Sequence, residues 1–146
     1  MLKIKPNNNF TQIFKKATEN FVAEVDRRVV QAFEQAAKEA VLWAKQNKTY
    51  TDQTGALNAS TGFILYRDGL QVAEYFDSFL GNTDGMRAGK EIAAQQTPPK
   101  RANIFAVVVA GANYAVYVES KGFDVLTGAE KRFPDILGKK LKENFR

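Results

Sequence analysis

Between Thr11 and Gln46 the chain carries one uninterrupted helical stripe, which limits the possible folds more than any other feature. Phe14, Ala17, Phe21, Val25, Val29, Ala32, Ala36, Ala40 and Trp43 recur at spacings of three or four, the period that lines up side chains on one face of an α-helix. No proline or glycine interrupts the run before Gly55, and Thr11 is the candidate cap at its start. A helix over 11–47 is on the order of 50 Å long, more than the ~30 Å diameter of a small domain. One end must therefore project or pack on a neighbour. The competing reading is a bend or break at Asp26-Arg27-Arg28. A sustained coiled coil fits poorly, because the spacing drifts toward 3.5 only briefly.

The rest of the chain alternates short patterns with turn signals. Residues 1–10 are polar, with Pro6 and three consecutive asparagines, and read as an irregular arm. Lys48 to Gly55 is a break rich in turn formers, and Ala56 to Ser60 reads as a helical turn. Phe63-Ile64-Leu65-Tyr66 and Leu70-Gln71-Val72-Ala73-Glu74-Tyr75 flank Arg67-Asp68-Gly69, a hairpin signal. Phe76 to Gly85 reads as a loop, and Met86 to Gln96 as a short helix with Ile92 and Ala93 inward, ended by Pro98-Pro99. Ile104 to Ala110 is apolar and rich in valine, the pattern of a central strand buried on both faces. Asn113 to Lys121 is a short helix or another strand, and Phe123 to Leu126 a short strand. Thr127 is the candidate cap of a last helix to about Asn144, with Phe133, Ile136, Leu137, Leu141 and Phe145 inward; a start at Pro134 is the alternative.

These patterns predict one α+β domain over 1–146: an arm (1–10), a long helix (11–47), a sheet of about four antiparallel strands with an inserted short helix (60–126), and a basic C-terminal helix (127–146). A chain of 146 residues has the size of one domain and can build a core. It contains no stretch of about 20 apolar residues and no apolar run of signal-peptide length at its start, so no membrane partner is expected.

Two absences narrow the chemistry. The sequence has no cysteine and no histidine. Disulfides, thiolate nucleophiles and cysteine zinc sites are thereby excluded, and the commonest general base and metal ligand are missing. No cofactor is expected. Neither the P-loop nor the G-x-G-x-x-G fingerprint occurs, and Gly85 and Gly89 have the wrong spacing. Carboxylate chemistry would have to draw on Asp52, Asp68, Asp77, Asp84, Glu119 and Asp124. Asp68 and Asp84 already have turn roles, and Glu119 is more simply explained by pairing with Lys121 or capping a helix.

The formal net charge is +5, and the segment 131–146 holds +4 of it. Lys131, Arg132, Lys139, Lys140, Lys142 and Arg146 are its basic residues, against Asp135 and Glu143. Such a tail is a candidate contact for DNA or an acidic partner, although a basic run is more often the solvated face of a terminal helix. No helix-turn-helix, zinc-finger or RNP pattern accompanies it.

Two segments carry a resemblance: Thr54-Gly55-Ala56-Leu57-Asn58-Ala59-Ser60, matching Thr-Gly-x-Leu-x-x-Ser, and Tyr114-Ala115-Val116-Tyr117-Val118-Glu119, matching Tyr-Ala-x-Tyr-Val-Glu. With a long helix before them and a hairpin between, the order resembles the small tail-component, tail-completion or neck proteins of tailed phages and prophages, over about residues 10–140. The motif residues are Thr54, Gly55, Leu57, Ser60, Tyr114, Ala115, Tyr117, Val118 and Glu119. The family's usual Glu-x-Gly-Thr turn is replaced here by Glu119-Ser120-Lys121-Gly122. The resemblance implies a non-enzymatic virion part made in the bacterial host cytoplasm. It implies a ring of six or twelve copies that meets neighbouring neck or tail proteins and has DNA in its channel. The alternatives are a small DNA-binding protein using the basic tail and, third, a carboxylate-dependent hydrolase.

Overall fold

The computed structural model describes residues 8–96, 103–111 and 125–146. Helix α1 (Asn8–Gln46) is continuous over 39 residues, about 58 Å at 1.5 Å per residue. It runs unbroken through Asp26-Arg27-Arg28, where Glu24 accepts from both Arg27 and Arg28 across one turn. Asn8, the first described residue, is already helical, which corrects the expected boundary: Thr11 lies inside the helix and is no cap.

A short turn α2 (Ala56–Ala59) leads into β1 (Thr61–Arg67), which pairs antiparallel with β2 (Leu70–Tyr75) and β3 (Ile104–Ala110). The sheet order is β2-β1-β3. Between the first two strands Asp68 and Gly69 both have positive φ, 50° and 79°, the conformation a two-residue hairpin turn demands. The register slips between Leu65 and Tyr66, a bulge opposite Val72 that twists the edge strand.

Side chains of β1 alternate between two cores, as the two-residue repeat of a strand requires. Phe63 and Leu65 pack with Ala37 and Val41 of α1. Ile64 turns to the other face, against Val107, Val109 and Ala93. The last of these lies in α3 (Thr83–Ala94). The central strand is therefore β1. Ile104–Ala110 was expected to take that place, but among the described residues it lies at the sheet's edge and is only half-buried along most of its length. Both of its faces are nonetheless packed, Ile104, Ala106 and Val108 against the α1 side and Val107 and Val109 against the Ala93 side.

Helix α3 begins three residues before the expected Met86, because the Asn82 side chain accepts from the Gly85 amide at 2.7 Å and fixes the first turn. Ala93 is buried as expected, whereas Ile92 is exposed. Helix α4 (Thr127–Asn144) packs against α1 through Ala129, which meets Ala40 and Ala44. Leu126 precedes its first turn without a side-chain cap, so Thr127 is a helical residue, and Pro134 lies within the helix instead of starting it. Phe145 lies past its end and is exposed, not inward. Three strands are described where about four were expected. Val125 and Leu126, assigned to a short strand, form a bend, and the remaining residues of 113–124 lie outside the described residues.

Alanines set the spacing of these layers. Ala32, Ala36, Ala37, Ala40 and Ala44 of α1 are buried, so sheet and α4 approach its backbone closely, and the bulky partners Phe63 and Leu65 fill the space. None of the described helices is long and apolar enough to cross a membrane.

Candidate assembly surface

α1 divides into two halves with different surroundings. From Val25 onward the helix lies on the body, but residues 9–24 are exposed along their whole run, about 24 Å of helix at 1.5 Å per residue. That segment carries Phe10, Ile13, Phe14, Phe21 and Val22, each between 59% and 69% exposed. The Phe10 and Phe14 rings stack at 6.4 Å between centroids. Lys15, Lys16 and Glu19 project from the opposite side at 100° per residue, with Lys15 facing Glu19 across 4.0 Å, while Glu24 at the end of the segment lies on the stripe's side and is held by Arg27 and Arg28.

The apolar face of this free half is not the face that packs on the sheet. Phe10, Phe14, Ala17 and Phe21 centre roughly 170° around the helix from Ala37 and Val41, which meet the sheet. They lie instead on the track followed by α4. Asn144 sits over that track, accepting from Arg28 Nη1 through its carbonyl at 3.2 Å and donating to Gln35 Oε1 at 2.9 Å. Lys140 pairs with Glu39 at 3.0 Å, and the Arg132 guanidinium lies 4.5 Å from the Trp43 ring.

Where helix leaves body, Arg67 closes the gap. It donates to Asp26 Oδ1 from Nε at 2.8 Å and from Nη2 at 2.5 Å. The hydrogen bond to Asp26 holds the guanidinium protonated more firmly than usual. A groove of about 410 Å³ lies beside this pair, with Thr18, Val22 and Ala23 on its wall.

The first resemblance motif forms a joint in the fold. Leu57 and Ser60 are fully buried, and the hydroxyls of Ser60 and Thr61 both donate to the Leu57 carbonyl. Gly55 has φ of 76°. A Cβ there would lie 2.5 Å from the Phe79 carbonyl oxygen, so the position needs glycine. Thr54 accepts from Asn82 Nδ2 at 3.1 Å through its carbonyl, and the same asparagine caps α3. The second motif, Tyr114, Ala115, Tyr117, Val118 and Glu119, lies outside the described residues.

The basic tail is split. Lys140 is drawn inward by Glu39 and Glu143, the hydrogen bond to Glu39 raising its pKa, and Arg132 stacks on Trp43. Lys131, Lys139, Lys142 and Arg146 are exposed; the three lysines lie within roughly 80° of one another on the outward face of α4, with Asp135 among them, and Arg146 follows the end of the helix.

Of the carboxylates, Asp52 is buried and accepts from the Asn58 amide at 2.7 Å through Oδ2, while Oδ1 meets no hydrogen-bond partner. Asp68 pairs with Arg67 and Asp84 with Arg87. Glu119 and Asp124 lie outside the described residues. Among the described residues no three carboxylates converge as a metal site.

One cluster escaped the sequence reading. Lys38 and Lys45 lie over the Tyr75 ring at 5.0 and 5.6 Å, and Lys48 over Phe79 at 4.7 Å. Burial lowers the Lys45 pKa, opposed by Asp77, and burial raises that of Tyr75. The seven-residue spacing of Lys38 and Lys45 puts them on one helix face. Their aromatic partner, however, comes from a strand thirty residues on, and no local pattern announces it.

Comparison of the chain with protein-family models, with curated proteins and with solved structures finds no match.

Proposed function

We propose that the chain is a structural subunit working by protein–protein assembly, a phage neck or tail-completion component that joins or closes a tail as a ring of six or twelve copies. The observation that carries this reading is the free half of α1: a rigid, exposed helix with a row of large apolar side chains beyond the folded body. Such a row is costly in water and gains free energy when covered. The joint over residues 54–60, where Gly55, Leu57 and Ser60 are buried in packing, suits a virion part without a reaction of its own. Neighbouring neck or tail proteins are its further partners.

The test is native mass by light scattering after gel filtration, at low and at high salt. A mass of six or more subunits that persists at high salt is expected, because apolar burial does not weaken as salt rises. A monomer at both salts overturns the ring. DNA binding through Lys131, Lys139, Lys142 and Arg146 is the second reading, favoured by their common exposed face. It would show as binding to duplex DNA that falls steeply with salt.

A further inference from the structure

Resting on the assembly reading, we infer that the surface covering the Phe10–Phe21 stripe is the same stripe of neighbouring copies, the helices of residues 9–24 standing parallel and in register around the assembly axis.

Continuity comes first. Phe10, Ala17 and Phe21 stand eighteen residues before Arg28, Gln35 and Glu39, which is about five turns. The stripe is therefore the uncovered extension of the face on which α4 lies, and α4 ends at Asn144, over Arg28. That helix stops where the stripe begins, leaving a helix-shaped track on which none of the described residues lies.

Area and width point to the occupant. Phe10, Ile13, Phe14, Phe21 and Val22 expose on the order of 600 Å² of side chain in all, a substantial part of the ~800 Å² that a stable interface takes from each partner. Phe10, Ile13, Phe14, Ala17 and Phe21 span about 100° of the helix, and Val22 stands apart beyond Thr18 and Thr11. Covering all of these side chains takes neighbours on two sides of the helix.

Charge argues for identical copies. When a surface meets its own image, any charge on its flank meets a like charge. From Phe10 to Phe21 the stripe is flanked by Thr11 and Thr18 on one side and by Ile13 and Asn20 on the other, all uncharged, with Lys15, Lys16 and Glu19 beyond them; Glu24, past Phe21 on the stripe's own side, is already paired with Arg27 and Arg28. Parallel, in-register packing follows from closure by rotation, which sets equivalent residues at equal height.

The absence of cysteine makes single-cysteine variants of the full chain clean reporters. Ala17→Cys and Phe10→Cys are treated with a bis-maleimide spanning the ~8–10 Å between packed helices. Lys16→Cys, on the far face, is the control. Covalent pairs at both Ala17 and Phe10, with several-fold less at Lys16, are expected. Pairs at Ala17 alone mean an antiparallel pair and overturn the inference. An assembly of six or more copies with pairs at neither position overturns it while leaving the assembly reading intact, and a monomer without pairs overturns both. As a second measurement, Phe14→Glu/Phe21→Glu is expected to cut the native mass at least sixfold with an unchanged melting temperature. A full-size assembly would overturn the inference.

Discussion

Arg67, the last residue of β1, holds Asp26 of α1 through two of its guanidinium nitrogens, at 2.8 and 2.5 Å, and beyond that pair the helix runs out exposed. The two residues are 41 positions apart in sequence. Both side chains are partly solvated, at 25% and 41% exposure, so the coupling is expected to be about 1 kcal/mol or less. A double-mutant cycle with Asp26→Asn and Arg67→Gln measures it. Amide exchange along residues 20–26 should quicken in the single variants, while the core around Phe63 and Leu65 keeps its protection.

Gly89 and Gly111 give a second prediction. A Cβ on Gly111 would fall 2.6 Å from Gly89 Cα, and one on Gly89 would collide with the Ser60 carbonyl oxygen. Backbone thus packs on backbone where α3 crosses the end of the sheet. Gly89→Ala should cost about 2–3 kcal/mol by overpacking. At Gly138, within α4, nothing lies within 4 Å of an added Cβ, and Gly138→Ala should stabilise by about 0.5–1 kcal/mol. Chemical denaturation of both variants checks the contrast in sign.

What the sequence discloses follows from the range of the interactions involved. α1, the Asp68-Gly69 hairpin and α4 are each set by a local period or a turn dipeptide, and all three are legible in the chain. The start of α3 depends on Asn82, whose cap falls inside a stretch that reads as loop from its glycines and aspartates. The exchange of β1 and β3 as central strand has a similar cause. Val107, Val108 and Val109 make β3 look the more buried, but strand order depends on pairings far apart in sequence. The candidate assembly surface is half legible. The stripe of Phe14, Ala17 and Phe21 shows in the spacing, but continues smoothly into the Ala32–Ala40 face. Only the end of α4 and the placement of Arg67 show where cover stops.

Glu24 yields a pH prediction. Hydrogen bonds from Arg27 and then Arg28 lower its pKa from 4.5 to about 2. A carboxylate depressed in the folded chain contributes its stabilisation above the unfolded value, and loses it as pH falls through the folded one. The contribution should therefore be whole above about pH 4.5 and fade toward pH 2. Carbonyl NMR of Glu24 should titrate with a midpoint near 2, and Glu24→Gln should abolish helix loss specific to residues 20–28 in that window.

The last prediction separates charges that hold the fold from those that face outward. Lys140 donates to Glu39 at 3.0 Å and to Glu143 at 3.4 Å with its side chain mostly covered. Lys140→Met removes one partner of a pair linking α4 to α1 and should cost about 1 kcal/mol. Lys131, Lys139, Lys142 and Arg146 are exposed, and their combined change to glutamine should leave stability within about 0.5 kcal/mol per site. Native mass should also be unchanged, because the apolar stripe of α1 lies on another element. If these three lysines and one arginine contact duplex DNA, the same variant abolishes a binding whose logarithm falls with log salt at a slope near −3.6, the value for four neutralised phosphates. A fall in native mass on removing the four charges would instead place them in the subunit contact, and the apolar stripe would no longer account for assembly alone.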